Sequence, residues 1–333
     1  MEKESIKQAF QDCYNQDKNQ LKFPYWMNHW EVSAEMHNFN GVEDFEKWFE
    51  WAAFPKPHNF SEEDISPLVN KSQSFHKKLI DKLSLDIDLK DYEVNSLYNA
   101  QDYLFQNLYP VPARMEIHRI LDFGAGYGRQ ANLWTQLRKE IVYVGMDAVE
   151  LPYCLQYLYY SYLDLPLHEY VIEKNKFKIE DKPGIYHLPT WRYDLLPDDF
   201  FDMIICVQVL HELDETLLKE MIKVFYKILQ PGGMLYIRDH NLAYTPGNRL
   251  DLSKYLPKTG FTLEFKPHIV DREELHGIPQ IWRKTDRRVI KSQKPEELTL
   301  KSLVNKIIKL EPRINQKLKN IYHRYNKYKK NEK

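Results

Sequence analysis

Up to residue 112 the apolar positions follow a helical rhythm; beyond it, short apolar runs alternate with helical stripes. Phe45, Trp48, Phe49 and Ala52 recur at i, i+3, i+4 and i+7 and predict a helix over about 42–53, stopped by Pro55 and Pro57. Val94, Leu97, Tyr98, Gln101, Leu104, Phe105 and Leu108 make a second stripe, a helix over about 91–108 ended by Pro110 and Pro112. From Arg119 the pattern changes. Ile120, Leu121 and Phe123 form a buried strand, Gly124-Ala125-Gly126-Tyr127-Gly128 a tight bend, and Ala131, Leu133, Trp134 and Leu137 a helix. Tyr143 to Met146 reads as a second strand ending in Asp147. Pro152 suits a first helical turn, and Leu155, Leu158, Tyr159 and Tyr162 share one face of the helix that follows. An insertion at about 168–188 precedes a third strand over His187–Tyr193. Met203 to Val207 is the fourth strand, followed by a helix over 213–229 carrying Leu217, Leu218, Met221, Ile222 and Phe225. The turn Leu229-Gln230-Pro231-Gly232-Gly233 leads into a fifth strand, Met234 to Ile237. A helix over Leu250–Leu256 and strands at Phe261–Phe265 and Ile278–Trp282 complete the series.

Strands alternating with helices predict an α/β core with a largely parallel sheet. Three segments follow: an aromatic-rich helical cap over 1–112, the core over 113–290, and a C-terminal helix with a basic tail over 291–333. In the last segment Leu300, Leu303, Val304, Ile307, Ile308 and Leu310 give an amphipathic stripe. Eight Lys or Arg then stand against one acid, Glu332, in residues 313–333, which reads as a solvated terminus or as a surface for anionic headgroups or glycans.

Composition narrows the class. With 43% apolar residues the 333-residue chain buries a sizeable core. Lys and Arg number 47 against 48 Asp and Glu, so no global charge points to nucleic acid. Cys13, Cys154 and Cys206 are too few and too far apart for a disulfide framework or a zinc site. The charged start MEKESIKQAF has no signal-peptide core, and no apolar run reaches the length of a membrane span. The expectation is a cytoplasmic protein.

The bend at 124–128 carries the chemistry. Glycines let the main chain turn where a Cβ would clash, and the helix N-terminus beyond presents unpaired N–H groups. A dinucleotide fingerprint needs a third glycine where this chain has Arg129, so an NAD-dependent oxidoreductase or epimerase is a weak alternative. Acids follow in order: Asp122 before the bend, Asp147 after the second strand, Asp194 after the third.

LDFGAGYGR, VGMD, FDMIICVQVLHEL and LQPGGMLYIRDH, in that order over roughly 113–285, together resemble the motifs of class I S-adenosylmethionine-dependent methyltransferases. YIRDH and HGIPQIW add a likeness to the sugar O-methyltransferases of bacterial surface-polysaccharide gene sets. The resemblance implies a Rossmann-like, seven-stranded sheet with helices on both faces and an antiparallel last strand. It implies S-adenosylmethionine as cofactor, a sugar or glycan precursor as acceptor, and O-methyl transfer as the reaction. Gly124, Ala125, Gly126 and Gly128 would hold the methionine end, and Asp122 its ammonium. Asp147 would accept the ribose hydroxyls. Asp194 would take the adenine amine, with Ala148, Leu195 and Val207 lining the site.

A sugar hydroxyl needs a base near neutral pH. His211, in the Leu210-His211 step that serves as base in several O-methyltransferase groups, is the first candidate; a helix N-terminus at 213 would keep its ring neutral. Asp239 and His240 after the fifth strand form a second candidate, an acid–histidine pair. These two residues are too few for a metal site; none is assigned, although some sugar methyltransferases use magnesium. Glu212, Arg238 and His276 are secondary candidates. Trp26, Trp30, Trp48 and Trp51 serve as stacking faces for a sugar ring or as helix-docking core. A lipid-linked or other small acceptor, and a cofactor-binding scaffold without turnover, stand as further alternatives. The oligomeric state is open.

Overall fold

The structure, a computed structural model, describes residues 3–17, 38–51, 60–108, 116–239, 250–266 and 278–285. The C-terminal helix and basic tail, His240, His276, Trp26 and Trp30 lie outside these residues. Four helices come first: α1 (Lys3–Asp17), α2 (Asp44–Trp51), α3 (Glu62–Leu83) and α4 (Leu89–Leu108). The stripes at 42–53 and 91–108 thus become α2 and α4. α1 and α3 are additional to the two predicted helices; Ser61 caps α3 by accepting from the Asp64 N–H.

The core then alternates β1 (Arg119–Phe123), α5 (Ala131–Leu137), β2 (Val142–Asp147), α6 (Glu150–Tyr160), β3 (Leu167–Glu169), α7 (Tyr170–Glu173), β4 (Gly184–Pro189), β5 (Phe201–Val207), α8 (Glu215–Ile228), β6 (Leu229–Asp239), α9 (Leu252–Thr259), β7 (Phe261–Phe265) and β8 (Ile278–Lys284). These make one eight-stranded sheet in the order β3-β4-β2-β1-β5-β6-β8-β7. The first six strands in that order are parallel, and β8 runs antiparallel to both β6 and β7. β1 and β2 are buried almost throughout, as strands covered on both faces must be.

The expected sheet had seven strands; the eighth, β3, is a three-residue edge strand inside the stretch read as an insertion. It is too short for alternation to reveal. The third expected strand also ends earlier. β4 stops at Pro189, directly opposite Asp147, because proline has no N–H to continue the ladder.

The chain leaves β1 for β2 on one side and returns to β5 on the other. The order reverses there, and the carboxyl ends of β1, β2 and β5 at such a reversal are where open α/β sheets hold ligands. The N-terminal helices share the core of the sheet domain. Tyr127 of the bend is buried against Phe49 (centroids 5.2 Å apart) and Phe45 (6.2 Å), and its hydroxyl donates to Asn95 Oδ1 at 2.8 Å. The three cysteines are free and buried, and burial pushes the Cys206 thiol well up, as for an inert core residue.

Candidate active site

Gly124, Gly126 and Gly128 adopt φ of +70°, +60° and +89°, the left-handed region that disfavours a side chain. A Cβ on Gly124 would meet Val209 Cγ2 at 2.4 Å, and one on Gly128 the Tyr160 ring at 2.5 Å. The bend is pinned to β2, because Gly124 N–H and Ala125 N–H both donate to the Met146 carbonyl at 3.0 Å. At Gly126 a Cβ would lie 3.4 Å from Trp48 Cζ2, so α2 sets an indole over the bend. Trp48, read as a stacking face or as helix-docking core, therefore lies at the site; the side chains of Trp26, Trp30 and Trp51 lie outside the described ones.

Asp122 is buried on β1 and accepts from the Tyr143 hydroxyl at 2.6 Å. Burial pushes its carboxyl up to about 7, against the opposing pull of that hydroxyl and of Arg129. Asp147, at the end of β2, accepts from Ala148 N–H (2.8 Å) and Val149 N–H (3.2 Å) on Oδ1. Its Oδ2 accepts from Gly126 N–H (3.2 Å) and Gln156 Nε2 (3.3 Å). Burial outweighs these donors and holds this carboxyl at about 7 as well. Asp147 therefore ties the bend to the end of β2.

Asp194 stands elsewhere. It falls in a 3-10 segment, Thr190–Leu195, beyond the end of β4, and forms a fork with Arg192 at 2.9 and 3.0 Å. Its side chain is 56% exposed, and Leu195 packs half-buried against the core. The strand position beside Asp147 belongs to Pro189, followed by buried Thr190. The expectation of an acid at this strand tip is corrected: Pro189 ends the strand five residues before Asp194.

β5 ends at half-buried Val207, and Gln208 then turns with φ of +57°, a strained conformation for a non-glycine residue. A short 3-10 turn, Leu210–Glu212, follows. Asp239, the last residue of β6, organises this turn. Its Oδ2 accepts from the N–H groups of Val209 (3.2 Å), Leu210 (2.6 Å) and His211 (3.2 Å), and its Oδ1 meets His211 Nδ1. The acid–histidine pair thus exists, but Asp239 holds His211, whereas the expected pairing was with His240. The helix argument for His211 is corrected too. α8 begins only at Glu215 and its N-terminus is closed by Asp214, which accepts from Thr216 and Leu217 N–H; the Asp239 carboxylate, not a helix end, sets the imidazole.

Glu212 completes the lining. Its Oε1 lies 3.8 Å from His211 Nε2, and burial, with the charges of Asp239 and Asp147, pushes its carboxyl well above the ordinary range. Among the described residues no group of three or more His, Cys, Asp and Glu side chains could hold a metal ion.

Arg238 is held in a buried ion pair. Asp102 of α4, buried and absent from the sequence candidates, accepts on Oδ1 from Tyr236 Oη and Arg238 Nε, each at 2.7 Å. Its Oδ2 accepts from Arg129 Nη2 and Gln130 Nε2 at 2.8 Å and from Arg238 Nη2 at 2.9 Å. The two guanidiniums overcome the burial of the Asp102 carboxyl and hold it well below the usual carboxylate range. One carboxylate thereby joins α4, the end of the bend and β6. The available signal was an acid beside the apolar stripe of α4, which reads equally well as a solvated face.

A family described as a methyltransferase domain matches residues 74–288. A comparison with curated proteins gives no match. Among solved structures the chain is similar to a SAM-dependent methyltransferase from Methanosarcina mazei, at 16% identity over 54% of this chain and 99% of that one, with a TM-score of 0.36. An arsenic(III) S-adenosylmethionine methyltransferase from Chlamydomonas reinhardtii matches at 19% identity over 52% of this chain and 66% of that one, TM-score 0.35. The carbon methyltransferase CurJ matches at 14% identity over 75% and 72%, TM-score 0.39.

Proposed function

The chain belongs to the methyltransferase-domain family and is an S-adenosylmethionine-dependent methyltransferase; from that premise we propose that it methylates a hydroxyl oxygen of a sugar or surface-polysaccharide precursor. The observation that carries the oxygen acceptor is the Asp239–His211 pair. A carboxylate on Nδ1 fixes the tautomer with hydrogen on that nitrogen and leaves Nε2 with a lone pair, the form a general base needs. A donor with a ready lone pair, such as a thiolate or amine, has less use for such a base.

The bend suits the cofactor. Its glycines allow close approach to the main chain, and Asp122, Asp147, Glu212 and Asp239 bring carboxyl groups whose ionised forms a sulfonium and an ammonium would favour and a pyrophosphate would not. S-Adenosylmethionine supplies an electrophilic methyl group there. Gly124 to Gly128 cradle the methionine end, and Asp122 faces its ammonium. Asp147 accepts the ribose diol, because a carboxylate offers two acceptor oxygens to two hydroxyls. His211 Nε2 takes the proton of the acceptor hydroxyl as the new C–O bond forms, and Asp239 steadies the imidazolium. Trp48, over the bend, offers an apolar face to a pyranose ring.

Incorporation of labelled methyl groups into a panel of nucleotide-sugars and oligosaccharides tests this reading. Incorporation into hydroxyl groups supports it. Transfer confined to amines or thiols overturns the oxygen acceptor, and a lipid-linked acceptor alone would redirect it. For the cofactor, Asp147→Ala should weaken S-adenosylhomocysteine binding by at least about tenfold in calorimetry. Since the ionised form is the one that accepts both hydroxyls, wild-type affinity should rise with pH up to about 7 and level off above it. Unchanged affinity in the variant removes Asp147 from the site.

A further inference from the structure

We propose that His187 is a buried imidazolium that positions the cofactor bend through Gln156, a role resting on the reading of 124–128 and Asp147 as the cofactor site. The Gly126 carbonyl can only accept, so the Gln156 side-chain atom 2.8 Å from it is the amide nitrogen. The same nitrogen lies 3.3 Å from Asp147 Oδ2, another acceptor, which fixes the orientation of the amide. Gln156 Oε1 is then the atom 3.1 Å from His187 Nε2. An amide oxygen cannot donate, so Nε2 carries a hydrogen.

The other ring nitrogen faces a carboxylate. His187 Nδ1 is 2.6 Å from Glu169 Oε2. Glu169 Oε1 already accepts from the Tyr153 hydroxyl and, at 3.2 Å, from Val171 N–H. Both donors favour the ionised carboxylate, which places the shared proton on Nδ1. With hydrogens on both nitrogens the ring is a cation. Its surroundings suit one: the Tyr153 ring stacks on it at 4.0 Å between centroids, and Tyr160 meets it edge-on at 5.4 Å. His187 and Glu169 are both inaccessible to solvent, and β4, β3 and α6 each contribute to the enclosure.

The chain Glu169–His187–Gln156 thus ends on the two groups that set the shape of the bend, the Gly126 carbonyl and Asp147. The imidazolium, as a donor, holds Oε1 and so aims the Gln156 nitrogen at both. Without it the amide is free to rotate, and a buried carbonyl and carboxylate lose a donor.

The test has a spectroscopic arm and a kinetic arm, both on the full-length protein. In long-range proton–nitrogen spectra of protein labelled with 15N-histidine, assigned by the signals lost in His187→Gln, both His187 ring nitrogens should be protonated at pH 7.5. A pyridine-type nitrogen in that ring overturns the proposal. Gln156→Leu should raise KM for S-adenosylmethionine about tenfold, the loss expected for a buried hydrogen-bonded link, and leave kcat at saturating cofactor unchanged. Glu169→Gln should remove the second ring proton and raise the same KM, whereas a purely structural role would lower the melting temperature without a selective KM effect. Variants that keep the wild-type KM overturn the positioning role alone. A wild-type protein that binds no S-adenosylhomocysteine overturns the reading of the bend, and this proposal with it.

Discussion

His211→Ala should lower methyl transfer by roughly 10²–10⁴-fold, the contribution of a positioned general base, and leave S-adenosylhomocysteine affinity unchanged. The size follows from the geometry. A hydroxyl is a poor nucleophile at neutral pH, and alignment alone cannot remove its proton. Asp239 binds Nδ1 and at the same time the backbone N–H groups of Val209, Leu210 and His211, so the ring is fixed by its own turn as well as by its partner. Asp239→Asn should therefore cost part of the same rate: the amide keeps the steric fit but loses the charge that stabilises the imidazolium. Initial rates and calorimetry on both variants separate chemistry from binding. A near-wild-type rate for His211→Ala passes the role of base to another residue.

Asp102→Ala should destabilise the fold by about 3–5 kcal/mol, read from urea unfolding, since breaking a buried ion pair leaves uncompensated charge. Here it would leave two guanidiniums, those of Arg129 and Arg238, without the carboxylate they share. Tyr236 and Gln130 would lose their acceptor as well. The damage should spread to the bend, because Arg129 and Gln130 directly follow it. A loss below about 1 kcal/mol would show that water replaces the carboxylate without cost, as it does for exposed pairs.

The central elements were legible because their signals are local. The glycine bend, Asp147 at a strand end, the Leu210-His211 step and α2 each rest on a few neighbouring residues. The resemblance added the order of the motifs. What escaped the sequence depends on partners far along the chain. Asp239 neighbours His240 in sequence, yet it pairs with His211, 28 residues away, because β5 and β6 are adjacent in the sheet. Asp102 meets Arg238 from 136 residues away, and no periodicity announces that. Gln156 and His187 lie 31 apart and resemble ordinary helix and strand residues until the three hydrogen bonds of Gln156 are traced. Asp194 misled for the opposite reason. It is an acid in a suggestive neighbourhood, but Pro189 ends the strand first and Arg192 occupies its carboxylate.

A crystal of the protein grown with S-adenosylhomocysteine tests most directly whether the Asp239–His211 pair faces a methyl donor seated in the bend. The amino-acid end is expected within residues 124–128, the ribose on Asp147, and the sulfur directed toward His211 Nε2. A ligand bound elsewhere, or one in the bend whose sulfur points away from His211, would contradict it.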